Sequence, residues 1–155
     1  MNEINTSQLQ NEEFRFCKVE KDKKKPFEPN WNTEGYKFND LTLLNHISLG
    51  GNAGIIAGLG NLRILDIDDK KLIKHFDKEL SDTFAVETAN KNRHFYIISE
   101  YDKNHVLTNG AGEFRAKNMM VLVPGCTIEN NKEYKIINDK PIKVLSKEEV
   151  ETLLT

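Results

Sequence analysis

Short hydrophobic runs separated by turn residues make up most of this chain. Runs of this length are typical of β-strands. The pattern predicts strands at residues 14–19, 53–58, 62–68, 83–88, 93–98, 106–108, 113–115, 119–123 and 133–137. The glycine-rich segment 58–61 predicts a turn that joins the second and third of these strands as a β-hairpin. A second hairpin loop is predicted at residues 90–92, where two asparagines tolerate left-handed geometry.

Three other segments carry apolar residues at helical spacing. The first begins after Asn39 or Asp40, either of which can cap a helix, and it ends at residues 50–51, a glycine pair. The second covers residues 70–80, and the third follows a capping box at residues 146–149. Many hairpins with only three helices predict an α+β fold, in which a mainly antiparallel sheet has flanking helices.

The composition limits the domain count and the class of protein. At 155 residues we expect a single domain at residues 14–155, after a polar N-terminal segment at residues 1–13 that is frayed or weakly helical. The net charge of -2 means that nucleic acid would have to bind a local basic patch. Cys17 and Cys126 stand alone, which argues against a zinc knuckle or a disulfide scaffold and favours the reducing cytoplasm. No apolar run is long enough to span a membrane.

The hydrophobic run at residues 62–68 ends in two acids, Asp66 and Asp68. Alternate side chains of a strand share a face, so these two carboxylates would point to one side and Asp69 to the other. Two carboxylates at this spacing can hold divalent cations between their oxygens. The alternative is that the acids only end the strand and cap the following helix, a role that best suits Asp69.

Later segments contribute further polar side chains. His94 opens the strand at residues 93–98, where it is either a structural or a functional histidine. Glu113 and Arg115 share one face of their strand, either as a simple ion pair or as a metal ligand beside a cation for phosphate. The basic loop that contains Lys23, Lys24 and Lys25 is either solvated or in contact with phosphate.

The acid pair, the histidine and the third acid, in this order, resemble the archaeo-eukaryotic primase superfamily. Within it, they resemble the primase–polymerase (prim-pol) domain of archaeal plasmids and phages. The resemblance covers residues 14–136 and includes Lys24-Lys25-Pro26 with Trp31, Gly51-Asn52-Ala53-Gly54-Ile55 with Gly58, Glu87-Thr88, Arg93-His94-Phe95-Tyr96, Gly112-Glu113-Phe114-Arg115 and Val121-Leu122-Val123-Pro124-Gly125. The chain departs from the family at residues 90–92, where a glycine pair is usual, and at Cys126, where serine is usual.

The resemblance implies a primase–polymerase fold with an RRM-like core. It also implies template-directed nucleotidyl transfer in DNA replication by a two-metal mechanism. Asp66, Asp68 and Glu113 would be catalytic and would bind Mg²⁺ or Mn²⁺. The candidate nucleotide-binding residues are His94, Arg115, Arg93 and Lys91, and the candidate nucleic-acid-binding residues are Lys23, Lys24 and Lys25. The implied partners are a single-stranded DNA template, nucleoside triphosphates, and a helicase or other replication protein.

Three other functions fit the same residues. A non-catalytic accessory subunit would keep the fold and bind nucleic acid or a replication partner, which suits the small size and the altered loop before His94. A metal-dependent nuclease would use the three acids and the histidine for phosphodiester hydrolysis. A binding module would use the acids only as helix caps and in ion pairs.

Overall fold

The computed structural model describes residues 3–155, and this part of the chain contains twelve β-strands and three α-helices. The helices are α1 (Leu41–Ser48), α2 (Lys70–Glu79) and α3 (Lys147–Leu153). The strands are β1 (Phe16–Val19), β2 (Asn52–Ala57), β3 (Leu62–Ile67), β4 (Ala85–Glu87), β5 (Arg93–Ile98), β6 (His105–Val106), β7 (Gly112–Arg115), β8 (Met119–Leu122), β9 (Thr127–Ile128), β10 (Lys132–Glu133), β11 (Lys135–Asn138) and β12 (Lys143–Val144).

The strands form two main sheets, and the predicted α+β class is confirmed. The larger sheet has seven strands in the order β11-β4-β5-β3-β7-β6, and β12 pairs with β5 next to β4. The smaller sheet has the order β1-β2-β8, and β9 pairs with β10. Among the described residues, every pair of strands except β12 with β5 is antiparallel. β3 therefore lies at the centre of the larger sheet, between β5 and β7.

The predicted hairpin between residues 53–58 and 62–68 is wrong. β2 pairs with β1 and β8 in the smaller sheet, whereas β3 pairs with β5 and β7 in the larger sheet. A strand has only two edges, and other strands occupy both edges of β2 and of β3. Gly58, at φ 113°, and the 3₁₀ turn Leu59–Asn61 carry the chain from one sheet to the other. The turn therefore marks a crossover between the sheets.

Side-chain caps fix where the helices begin. Asp40 accepts hydrogen bonds from the first turn of α1, and Asp69 accepts from the amides of Lys71 and Leu72 at 2.9 and 3.0 Å. Ser146 and Glu149 form the predicted capping box of α3. The cap at Asp69 confirms its predicted role.

Two hydrophobic clusters cover the two faces of the larger sheet. On one face, Leu65 and Ile67 pack with residues of α2 and α3, including Phe76 and Val150. On the other face, Ile64 belongs to the cluster that also contains the residues of the smaller sheet. The space between the two sheets therefore opens on the face of β3 that carries Ile64. No helix among the described residues is long and apolar enough to cross a bilayer.

Two further predictions, for residues 1–13 and for residues 133–137, differ from the structure in detail. The predicted polar segment at residues 1–13 contains a 3₁₀ turn, Ser7–Leu9, and its Ile4 and Leu9 are buried in the core rather than frayed. Met1 and Asn2 of that segment lie outside the described residues. The strand predicted at residues 133–137 is divided at Tyr134, because β10 pairs with β9 and β11 pairs with β4.

Candidate active site

A row of polar side chains crosses the centre of the seven-stranded sheet. Asp66 of β3 lies directly opposite His94 of β5 on one side and Glu113 of β7 on the other. Directly opposed residues of antiparallel strands point to the same face. Arg115 shares this face because it lies two residues after Glu113, and Asp68 follows Asp66 just past the end of β3. The strand register therefore assembles residues that are far apart in the sequence.

Asp66 is the best-connected acid of this row. The Nε2 atom of His94 lies 3.4 Å from Oδ1 of Asp66, and the Nη2 atom of Arg115 lies 3.1 Å from Oδ2. Burial raises the pKa of Asp66, but the interactions with His94, Arg115 and Lys24 outweigh it, so the pKa of this carboxyl is below its ordinary value. Asp66 is therefore ionised at neutral pH.

Asp68 has a different environment, although it is close by. Asn92 donates a hydrogen bond from Nδ2 to Oδ1 of Asp68 at 3.1 Å. Burial and the negative charge of Asp66 raise the pKa of Asp68, and His94 and Arg115 compensate for this only in part. Desolvation, and after it the charge of Asp66, therefore make the ionised form of Asp68 less favourable, a setting that a bound cation would relieve.

Arg115 is held between the two sheets. Its Nη1 atom donates a hydrogen bond at 2.7 Å to the carbonyl oxygen of Met120 in β8. Its Nε atom lies 3.8 Å from Oε2 of Glu113, which is too long for a hydrogen bond, and this buried Nε has no partner. The guanidinium group therefore lies beside both Asp66 and Glu113, with hydrogen-bonding capacity to spare.

A cavity of about 560 Å³ opens in front of the row. Its polar wall comes from the larger sheet and neighbouring loops, and its opposite wall comes from β8 and the loop after β1. Six predicted site residues line it: Asp66, Asp68, His94, Arg115, Lys24 and Lys25. The other lining residues are Pro26, Trp31, Thr88, Asn90, Asn92, Asn118, Met119, Met120, Val121, Leu122 and Tyr134. This volume is in the range of small-molecule sites.

Four predicted site residues do not line this cavity: Glu113, Lys23, Lys91 and Arg93. Arg93 lies opposite Ile67, so its side chain is on the other face of the sheet, where Nε and Nη2 contact Asp77 at 3.0 and 3.3 Å. Lys91 contacts Glu87 at 3.3 Å. The structure therefore does not bring Arg93 or Lys91 into contact with the acids, and their binding of nucleotide stays a prediction.

Sequence reasoning missed Tyr134. Its ring lies 6.0 Å from that of His94, and burial, with a smaller contribution from Asp66, raises the pKa of Tyr134 to about 12. Backbone hydrogen bonds to Gly125 and Cys126 hold it there. The turn at residues 124–125 could have shown that the chain reverses, but no local pattern reveals which side chain then returns to the site.

The donor chemistry of the three acids fits a hard divalent cation, because carboxylate oxygens are the preferred ligands of Mg²⁺ and Mn²⁺. Asp66 and Asp68 line the cavity, and Glu113 is paired with Asp66 in the next strand. Within residues 3–155, however, no three His, Cys, Asp or Glu side chains are already grouped to hold a metal ion. Arg115, whose Nη2 atom lies 3.1 Å from Oδ2 of Asp66, supplies a positive charge beside the acids of the row.

The comparison with known families agrees with this geometry. A model of the N-terminal domain of bifunctional DNA primase/polymerases matches residues 7–149 of the chain, a segment that contains all of the acids described above. No curated protein matches the chain. A match over nearly the whole length shows the family. The chain therefore belongs to the family of bifunctional DNA primase/polymerase N-terminal domains, and its function is of the DNA primase/polymerase type.

Proposed function

We propose that this protein catalyses template-directed nucleotidyl transfer in DNA replication and belongs to the archaeo-eukaryotic primase superfamily, near the plasmid and phage prim-pol domains. The row of His94, Asp66 and Glu113 across three adjacent strands carries this proposal. His94 and Asp66 of this row line a cavity of about 560 Å³, a volume that suits a nucleotide. The family match supports the same reading.

The acids are the proposed metal ligands. Asp66, Asp68 and Glu113 would hold Mg²⁺ or Mn²⁺, which when bound activates the attacking hydroxyl and neutralises the leaving phosphates. Asp66 supplies a carboxylate that is ionised at neutral pH, because His94 and Arg115 keep its pKa low despite burial. The hydrogen bond from Asn92 fixes the direction of the Asp68 carboxylate.

The cationic and imidazole groups are the proposed phosphate ligands. His94 lines the cavity wall, and its buried Nδ1 atom has no hydrogen-bond partner among the described residues. The carbonyl of Met120 holds Arg115 in place, so its charge can stabilise phosphate with little reorganisation. Lys24 and Lys25, with Lys23 beside them, would bind the single-stranded template or the triphosphate. We also propose a helicase or other replication protein as a partner, in the reducing cytoplasm that suits two free, buried cysteines.

Removing both cavity aspartates tests this proposal. We expect Asp66→Ala combined with Asp68→Ala to reduce primer extension by at least about 10³-fold with Mg²⁺ or Mn²⁺, because the reacting charges lose their ligands. The matched control is Asp77→Ala with Asp82→Ala, which also removes two carboxylates but outside the cavity. Circular dichroism and thermal melting of both variants check the fold. Persistent primer extension by the first double variant would show that the site is assigned incorrectly.

A non-catalytic accessory replication subunit is the second candidate. Arg115 contacts Oδ2 of Asp66 at 3.1 Å, and this ion pair engages a carboxylate oxygen that a metal ion would need, which favours a site that binds without catalysis. This function predicts no incorporation with any divalent metal, together with measurable binding of single-stranded DNA. Degradation of labelled DNA with Mn²⁺ in the absence of nucleotides would indicate a nuclease instead.

A further inference from the structure

The cavity has two walls of different chemistry. The wall formed by the larger sheet carries Asp66, Asp68, His94 and Arg115. Apart from Lys24 and Lys25, the opposite wall is apolar, with Pro26 and Trp31 from the loop after β1 and Met119, Met120, Val121 and Leu122 from β8. The proposed metal and phosphate ligands do not include these apolar residues. A ligand that contacts both walls needs an anionic end and a flat, apolar end.

Trp31 is the aromatic residue of the apolar wall, and the structure holds its loop at both ends. Isolated β-bridges connect Pro26 to Val19 and Tyr36 to Phe16, so β1 holds the segment on each side of Trp31. The Phe16–Tyr36 bridge has backbone hydrogen bonds of 2.7 and 2.8 Å in the two directions.

A further contact ties this loop to the segment between β7 and β8. Asn32, next to Trp31, donates a hydrogen bond at 3.2 Å to Asn118, which precedes β8. Trp31 is half-buried: it packs against the core and also lines the cavity. The residue therefore reaches the cavity on an anchored segment, which keeps the entropic cost of stacking low.

We propose that Trp31 is the surface on which a nucleobase stacks while the phosphates of the same chain or nucleotide contact His94 and Arg115. This inference rests on the proposed function, because it assumes that the polar wall receives phosphate. A nucleobase is the flat, apolar group that phosphate-bearing ligands carry, and bases of every identity stack on aromatic side chains. Lys24 and Lys25 line the same cavity and attract the phosphates toward it.

Intrinsic fluorescence tests the inference directly, since Trp31 is the one tryptophan in the chain. The full chain is titrated, with and without Mg²⁺, with four probes: a nucleoside triphosphate, inorganic tripolyphosphate, a single-stranded oligonucleotide, and an abasic strand of equal length. We expect the probes that carry bases to quench the emission and the two that lack bases to leave it unchanged. Equal quenching by all probes, or none by any, would overturn the inference.

The same titration identifies the source of the base. Quenching by the free nucleoside triphosphate assigns the surface to the incoming nucleotide. Quenching by the oligonucleotide alone assigns it to a template base. Either result supports a nucleobase at Trp31. The measurement uses the wild-type protein, so misfolding of a variant cannot affect it.

Substitution gives an independent measurement of affinity. By calorimetry, Trp31→Leu should weaken binding of the base-bearing probe that quenches the wild type by at least about fivefold, whereas Trp31→Phe should weaken it less because a ring remains. Tripolyphosphate binding should be the same in both variants, and thermal melting shows whether they are folded. Wild-type affinity for the base-bearing probe in folded Trp31→Leu would contradict the inference.

Primer extension by the wild-type protein separates this inference from the proposed function. Extension without a base-dependent change at Trp31 overturns the stacking role and leaves the catalytic function in place. A base-dependent change at Trp31 without extension supports the stacking role and favours the accessory subunit.

Discussion

Arg93 and Arg115 lie on the two strands that flank β3, but they point to opposite faces of the sheet. Arg93 lies opposite Ile67, on the face covered by α2, and it pairs with Asp77. Arg115 lies opposite Ile64, on the face of the cavity, and it pairs with Asp66. An arginine thus forms a helix–sheet ion pair at position 93 and is part of the candidate site at position 115. The parity of a residue along its strand decides between the two roles.

The two faces of β3 also differ in how they affect stability. On the α2 face, Leu65 and Ile67 are fully buried with Phe114 in an apolar cluster, which stabilises the fold. On the cavity face, Asp66 is mostly buried among charged groups. Because burying a charge costs desolvation free energy, this burial stabilises the fold less than apolar burial does. We therefore expect substitutions on the first face to unfold the protein and those on the second face to inactivate it.

The largest effect is expected from Phe114→Ala, on the apolar face. Phe114 is fully buried and makes an edge-to-face contact with Tyr101, with ring centroids 5.5 Å apart. Truncation should lower the free energy of unfolding by about 3–5 kcal/mol, as measured by urea denaturation. Val106→Ala in the adjacent edge strand is the control, because Val106 is exposed, and it should change stability by less than about 0.5 kcal/mol. Similar losses in the two variants would remove the energetic difference between the faces.

Strand alternation alone predicts part of this arrangement. It places Asp66 with Asp68, and Glu113 with Arg115, on common faces, because these pairs are two residues apart. Alternation could also have separated Arg93 from His94, since consecutive strand residues point to opposite faces, although both were candidates for the site. The positions of Arg93 and His94 along the strand therefore suffice to place Arg93 on the face opposite the site.

Other parts of the site depend on contacts that no local pattern contains. The turn residues of segment 58–61 fit a hairpin and a connection between two sheets equally well. The choice depends on which other strands pair with the edges of β2 and β3. Trp31 and Tyr134 reach the cavity through loops held by bonds to β1 and to residues 125–126. Such contacts join positions far apart in the chain, so periodicity cannot predict them.

The second-largest effect is expected on the cavity face, from Arg115→Met. Methionine keeps much of the length of arginine but removes the charge beside Asp66 and Glu113. We expect kcat/KM for primer extension to fall by about 10²-fold, or about 2.7 kcal/mol, because a positioned cation no longer stabilises the transferred phosphates. Steady-state kinetics at saturating metal measure this loss.

Arg93→Met is the matched variant on the opposite face. Its kcat/KM should stay within about twofold of the wild-type value, because Arg93 contacts Asp77 and Glu87 rather than the cavity acids. Its effect should be a small loss of stability, at most about 1 kcal/mol, as is usual for ion pairs with a solvent-exposed partner. A loss of activity as large as that of Arg115→Met would restore Arg93 to the nucleotide site and would show that the face of a residue does not decide its role.

The smallest effect concerns Asp68→Asn and has the opposite sign. Burial and the charge of Asp66 raise the pKa of Asp68, so its ionised form destabilises the folded state. A carboxyl whose folded pKa is raised contributes stability below its unfolded pKa, about 4, and this contribution is lost as the pH rises through the folded value. In a chelating buffer, Asp68→Asn should therefore have a slightly higher melting temperature than the wild type at neutral pH, and the difference should disappear toward pH 4. The effect is small because Asp68 is exposed and solvent screens its charge. Asp66→Asn should melt lower at neutral pH, because the pKa of Asp66 is depressed and its ionised form is the stabilising one. Equal shifts in the two variants would mean that the two acids have the same environment, contrary to their different contacts with Arg115 and Asn92.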